Sequence, residues 1–135
     1  MIEFTIPGLP IAKGRPRFTT KGGFGRTYTP VKTVNAENVV AMYAQMALKR
    51  PLAGAIRLEV ITIHPVPKSW PKADKAEALA DRIRPTTKPD ADNLGKLVLD
   101  ALNGVGYADD KQVVELIVLK FYGEKPLTVV RLSQL

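Results

Sequence analysis

The chain has 135 residues, enough for one domain with an ordinary core, and its 45% apolar and 24% charged residues place it in the globular range and exclude wholesale disorder. Twenty lysines and arginines against 13 acidic residues leave a net charge of +7, which favours a polyanionic partner. The absence of cysteine removes disulfides, thiolate zinc sites and cysteine nucleophiles together.

No signal-peptide pattern opens the chain, and no apolar run reaches the ~18 residues of a membrane span. The expectation is a soluble cytoplasmic protein with no membrane partner.

Ile2 to Ile6 alternates as a short opening strand, closed by Pro7-Gly8 and Pro10. From Lys13 to Lys32 the chain carries Lys13, Arg15, Arg17, Lys21, Arg26 and Lys32 with no acidic residue. Gly14, Gly22, Gly23 and Gly25 make this stretch pliable, and Phe18, Phe24 and Tyr28 lie between the charges. Such a loop suits phosphate binding with counterion release, and an aromatic ring can stack on an exposed base. The bland reading is a solvated loop whose rings pack back on the core. Residues 13–28 are taken as a basic Gly-rich DNA-binding loop.

Thr29-Pro30 reads as N-cap and first helical position of a helix through about Leu48, with Val39, Val40, Tyr43, Met46 and Ala47 as its apolar face. Ala55 to His64 is a strand with Ile56, Leu58, Val60 and Thr62 on one side. His64 is the only histidine, and a structural hydrogen bond is a commoner use for it than general-base work. Trp70 reads as an anchor for a short helix over about Pro71 to Asp81. Arg82, Arg84 and Lys88 then lead directly to Asp90.

The stretch D-A-D-N-L-G-K-L-V-L-D-A-L-N-G-V-G-Y-A-D-D, Asp90 to Asp110, carries the chemistry. Leu94, Leu97, Val98, Ala101 and Leu102 follow the spacing of a buried helical stripe, with Asp92 or Asn93 as N-cap and Asn103-Gly104 as the stop. Asp92, Lys96 and Asp100 form a second stripe. Asp109 and Asp110 fall at the entrance of the next strand, placed by this reading beside the helix start. Carboxylates gathered there would need a cation, and oxygen-only ligands favour Mg²⁺ or Mn²⁺. Against this stands a solvated Asp92-Lys96-Asp100 ion-pair ladder with Asp92 as a simple cap. Val113 to Tyr122 and Leu127 to Leu132 then read as a hairpin around G-E-K-P.

D-A-D-N-L-x-K, D-A-L at Asp100 to Leu102, G-Y-x-D-D at Gly106 to Asp110 and Q-V-V at Gln112 to Val114 together resemble the RusA family of Holliday junction resolvases, common in prophages. The similarity runs from about Arg84 to Phe121, and more weakly at the basic segment. It implies a Mg²⁺-dependent endodeoxyribonuclease, with Mn²⁺ able to substitute and no small-molecule cofactor. The enzyme would act as a homodimer, resolving four-way junctions by paired symmetric nicks in recombination and repair.

Carried over by motif, Asp90, Asp92 and Asp110 are the catalytic and metal-binding aspartates, Lys96 is the essential lysine, and Asp109 is a further candidate ligand. Lys13, Arg15, Arg17, Lys21, Arg26, Arg84 and Lys88 are the expected DNA-binding residues. A bacterial or phage-encoded, nucleoid-associated location follows. The departures are Ala91, where a larger apolar residue is usual, and Gly95, expected to cost about 1 kcal/mol of helix propensity and to loosen the turn holding Lys96. The rival classes are a non-catalytic DNA-binding or architectural protein and a nuclease of broader branched or flap substrates.

The expected architecture is a single α/β domain over 1–135, a small mixed sheet with helices packed on it, in the order β-α-β-α-α-β-β. Strand order is not recoverable from the pattern.

Overall fold

A computed structural model describes residues 1–14, 17–20, 23, 25–28 and 30–135, with the side chains of 17–19 and 26 outside that description. In chain order the elements are β1 (Ile2–Pro7), β2 (Arg17–Thr19), β3 (Arg26–Tyr28), α1 (Val31–Ala47), β4 (Ile56–Pro65), α2 (Lys72–Leu79), α3 (Ala91–Ala101), β5 (Val113–Gly123) and β6 (Leu127–Gln134). The long elements follow the expected order. The basic loop adds the short antiparallel β2–β3 pair, Arg17 opposite Tyr28.

The four long strands form one mixed sheet in the order β1-β6-β4-β5. Strand β4 lies antiparallel to β6 and parallel to β5, while β1 pairs antiparallel with β6. The expected β5–β6 hairpin is therefore wrong: β4 lies between its two arms. Local turn signals describe how the chain reverses after Gly123. They do not say whether another strand fills the gap, and β4 is the strand best suited to a central place. Its Ile56, Leu58, Val60 and Thr62 are fully buried, in strict alternation.

The crossover from β5 to β6 passes close over β4, where a Cβ on Gly123 would collide with the Ile63 side chain. Gly123→Ala should cost about 1–3 kcal/mol through overpacking, seen as a lower urea midpoint with an unchanged slope.

One rung shows how the core is built. Phe4, Val130, Val60 and Val118 stand opposite one another across all four strands, on the face that α1 and α3 cover. Helix α3 seals it with Leu94, Leu97 and Val98, and with Leu102 at its C-cap, each worth roughly 1.5–3 kcal/mol when buried.

Helix α1 begins one residue later than expected, with Pro30 at the cap position. Its buried line is Thr33, Val40 and Ala44, whereas Val39 and Met46 of the expected face are exposed. Small residues let α1 lie close on the sheet, a preference that hydrophobicity alone does not reveal.

Gly95 is buried, and a Cβ there would stand 2.9 Å from Val118 Cγ2 and 3.4 Å from Leu116 Cδ2. The glycine lets α3 settle tightly on β5, so its propensity cost is offset by close packing; the loosened turn expected from the sequence is replaced by a tight contact.

Candidate active site

Helix α3 starts two residues earlier than its pattern suggested. Asp90 takes the cap position in extended backbone (φ −72°, ψ 147°), and its side chain makes no capping bond. Asp92 therefore lies in the first turn and Lys96 one turn further along, all three exposed. Two carboxylates thus sit at the N-terminal end of α3. Among the described residues Lys96 makes no ion pair with Asp92 or Asp100, so the ion-pair ladder does not form.

The segment leading into Asp90 is stitched to β5. Arg84 Nε donates to the Lys120 carbonyl at 2.6 Å while its guanidinium lies 3.8 Å above the Phe121 ring. Lys120 Nζ in turn donates to the Thr87 carbonyl at 2.7 Å. Lys120 was missed by sequence reasoning; its only signal is a lone cation in the apolar run L-I-V-L-K-F-Y. Lys88 is exposed beside the site.

Asp109 and Asp110 do not reach the helix start. Tyr107 is buried beneath the last turn of α3, its hydroxyl donating to the Leu99 carbonyl at 2.7 Å, and Gly104 N–H donates to the Tyr107 carbonyl at 2.8 Å. That tight turn leaves Asp110 N–H donating to Asn103 Oδ1 at 2.8 Å, at the C-terminal end of α3. Eleven residues of helix, about 16 Å at 1.5 Å per residue, separate the two acidic pairs.

Burial first, then the fields of Asp110, Asp100 and Asp109, push the Tyr107 phenol upward in pKa, which places those carboxylates around the same end. Asp109 is occupied as a cap: it accepts from Lys111 N–H in a capping box with Gln112, and that bond first of all holds its carboxyl below the usual range.

Lys13 is drawn inward. Its Nζ lies 2.6 Å from Glu37 Oε1 and 3.2 Å from Asp100 Oδ2, and its backbone N–H donates to the Asn93 carbonyl at 2.9 Å. Burial works against its charge, but the two carboxylates raise its pKa overall. The start of the basic loop is thereby pinned along α3, with Gly14 N–H held by Thr33 Oγ1 at 2.9 Å. Arg15, Lys21, Phe24 and Thr29, and the side chains of Arg17, Phe18 and Arg26, lie outside the described residues.

His64 is buried, with Nε2 2.8 Å from Thr62 Oγ1. Burial, then the charge of Lys120, lowers its pKa. The folded state thus resists the proton that the unfolded state accepts, so the contribution is whole above about pH 6.5 and declines as pH falls below it. His64→Gln should flatten Tm between pH 7.5 and pH 5 relative to the parent. An unchanged slope would contradict this account. Trp70 meets Tyr122 edge to face at 5.3 Å, anchoring the entry to α2.

A hard divalent cation suits two uncommitted carboxylates with a lysine beside them. Yet among the described residues no three His, Cys, Asp or Glu side chains gather where one ion would hold them. One chain provides half of the expected ligand set at each end of α3.

The chain is a strongly basic α/β protein with Asp90, Asp92 and Lys96 exposed at the start of a helix whose other face is buried. The family model for endodeoxyribonuclease RusA matches residues 7–133, and the chain belongs to that family of nucleases. It is also 40% identical over 138 residues to the uncharacterized protein YqaN of Bacillus subtilis (strain 168), covering 98% of this chain and 96% of that protein. Among the described residues no helix is long and apolar enough to cross a membrane.

Proposed function

We propose that this protein is a Mg²⁺-dependent endodeoxyribonuclease that resolves four-way DNA junctions by paired symmetric nicks, acting as a homodimer whose single domain spans the chain. The observation that carries the reading is the exposed Asp90, Asp92 and Lys96 at the start of α3, in a member of a nuclease family. When bound, the cation would polarise a phosphoryl oxygen and acidify a water. Lys96 would meet the scissile phosphate, while Lys88 and the basic loop hold flanking phosphates and offset the repulsion between carboxylates and DNA.

The two acidic pairs of one chain are too far apart to share an ion. In a two-fold dimer, Asp110 of the partner subunit completes the site begun by Asp90 and Asp92, and each site nicks one of two symmetry-related strands. Purified protein on an immobile labelled four-way junction should give paired nicks with Mg²⁺ and none with EDTA, in preference to flap or linear duplex competitors. Binding without cleavage in both Mg²⁺ and Mn²⁺ would favour an architectural protein; equal cutting of flaps would favour a broader nuclease.

A further inference from the structure

We infer that the free edge of β5 is the surface on which a second copy of this chain docks, strand against strand, extending the sheet through the dimer. This rests on the homodimeric endonuclease reading above, and it specifies which face makes the dimer.

Strand β5 is an edge strand of 11 residues, and its first half exposes three apolar side chains around the ion-paired Glu115: Val114 is 62%, Leu116 44% and Ile117 37% accessible. The opposite edge, β1, has 6 residues and ends in a proline, as protected edges do. Alternate residues of β5 point their backbone groups to opposite sides. The Leu119 carbonyl faces β4, where Thr62 Oγ1 donates to it at 3.2 Å, and the Lys120 carbonyl faces away, to Arg84. The register with β4 is regular from Glu115 onward, so Leu116 and Val118 share the parity of Lys120 and point their N–H and C=O groups outward along the unshielded half of the edge; Val114 is the extra residue of a bulge between Val113 and Glu115.

An antiparallel pairing about a two-fold axis near Leu116 satisfies those groups reciprocally. It also does what the split site requires. Residue numbers opposite one another then sum to 232, so Asp110 of the partner subunit arrives near Tyr122, next to Lys120, which holds Thr87 in the segment leading to Asp90. The two α3 helices run antiparallel on the same side of the joined sheet, the start of each beside the end of the other. Docking through the bare face of the sheet would instead place the two α3 helices on the outer sides of a sandwich, on the order of 30 Å apart, with both sites incomplete.

The chain has no cysteine, so an introduced thiol reports unambiguously. Single-cysteine full-length proteins Val114→Cys, Leu116→Cys and Val118→Cys are oxidised and compared with Thr5→Cys on β1, while Leu116→Pro removes an outward N–H from the edge. The expected results are disulfide-linked dimer greatest for Leu116→Cys and at background for Thr5→Cys, and a Leu116→Pro protein that sediments as a monomer with native circular dichroism. A monomeric parent, cross-linking at β5 no greater than at β1, or a folded Leu116→Pro protein that still dimerises would overturn the inference. If Leu116→Pro fails to fold, the cross-linking comparison decides alone. Cross-linking at Leu116 without Mg²⁺-dependent junction cleavage by the parent would sink the nuclease reading and leave the interface standing. Cleavage without cross-linking would do the reverse.

Discussion

An equal mixture of Asp92→Asn and Asp110→Asn proteins, each inactive alone, should recover nicking once their subunits exchange. Helix α3 separates Asp92 from Asp110 by most of its length, and in the proposed dimer each carboxylate set takes one member from each copy. In the heterodimer one site collects both substitutions and the other collects neither. Half of the dimers are mixed and each carries one intact site, so about a quarter of parental site activity returns. The product should be single nicks, because the opposing strand meets the dead site. If both carboxylates acted within one chain, every site in the mixture would contain a substitution and no activity would return. A gel that separates singly nicked from resolved junctions reads the difference directly.

Asp90→Asn should abolish cleavage and leave junction binding intact or tighter. The side chain makes no capping bond, so its carboxylate has no structural duty to lose, and the amide keeps its shape. Loss of a ligand to a phosphate-polarising cation removes several kcal/mol of transition-state stabilisation, a fall of at least about 10²-fold in rate. Binding responds in the opposite sense because one negative charge facing the DNA is removed. The measurement pairs single-turnover cleavage in Mg²⁺ with a mobility shift in EDTA. Cleavage near the parental rate would remove Asp90 from the site, and a parallel loss of binding would make it a folding residue instead.

The helix that carries the candidate site was legible because its signals are local. Leu94, Leu97, Val98, Ala101 and Leu102 announce the helix by their period, and all five are buried, four in α3 and Leu102 at its C-cap. D-x-D and Lys96 depend only on being a turn apart on that helix. The element order and the alternating core of β4 followed from pattern in the same way. The sequence also marked Gly95, but with the wrong meaning: propensity describes an isolated helix, and the close approach of Val118 is visible only when β5 is in place.

What the tertiary structure decided are the long-range choices. Glycines after Asn103 permit the chain to double back, but the buried Tyr107 and its bond to the Leu99 carbonyl determine that Asp110 stops at the far end of α3. Lys13 reads as one more cation in a basic loop, and only the packing of α1 against α3 brings Glu37 and Asp100 to it from 24 and 87 positions away. The turn after Gly123 likewise permits a hairpin, and burial of β4 on the covered face places that strand between β5 and β6. By itself the sequence determined the long helices and strands and where along them the charged residues fall, since those follow from neighbours within a few turns. Which strands pair, which charges meet and which carboxylates stand apart were decided by the tertiary structure, because those contacts depend on how elements distant along the chain share one core.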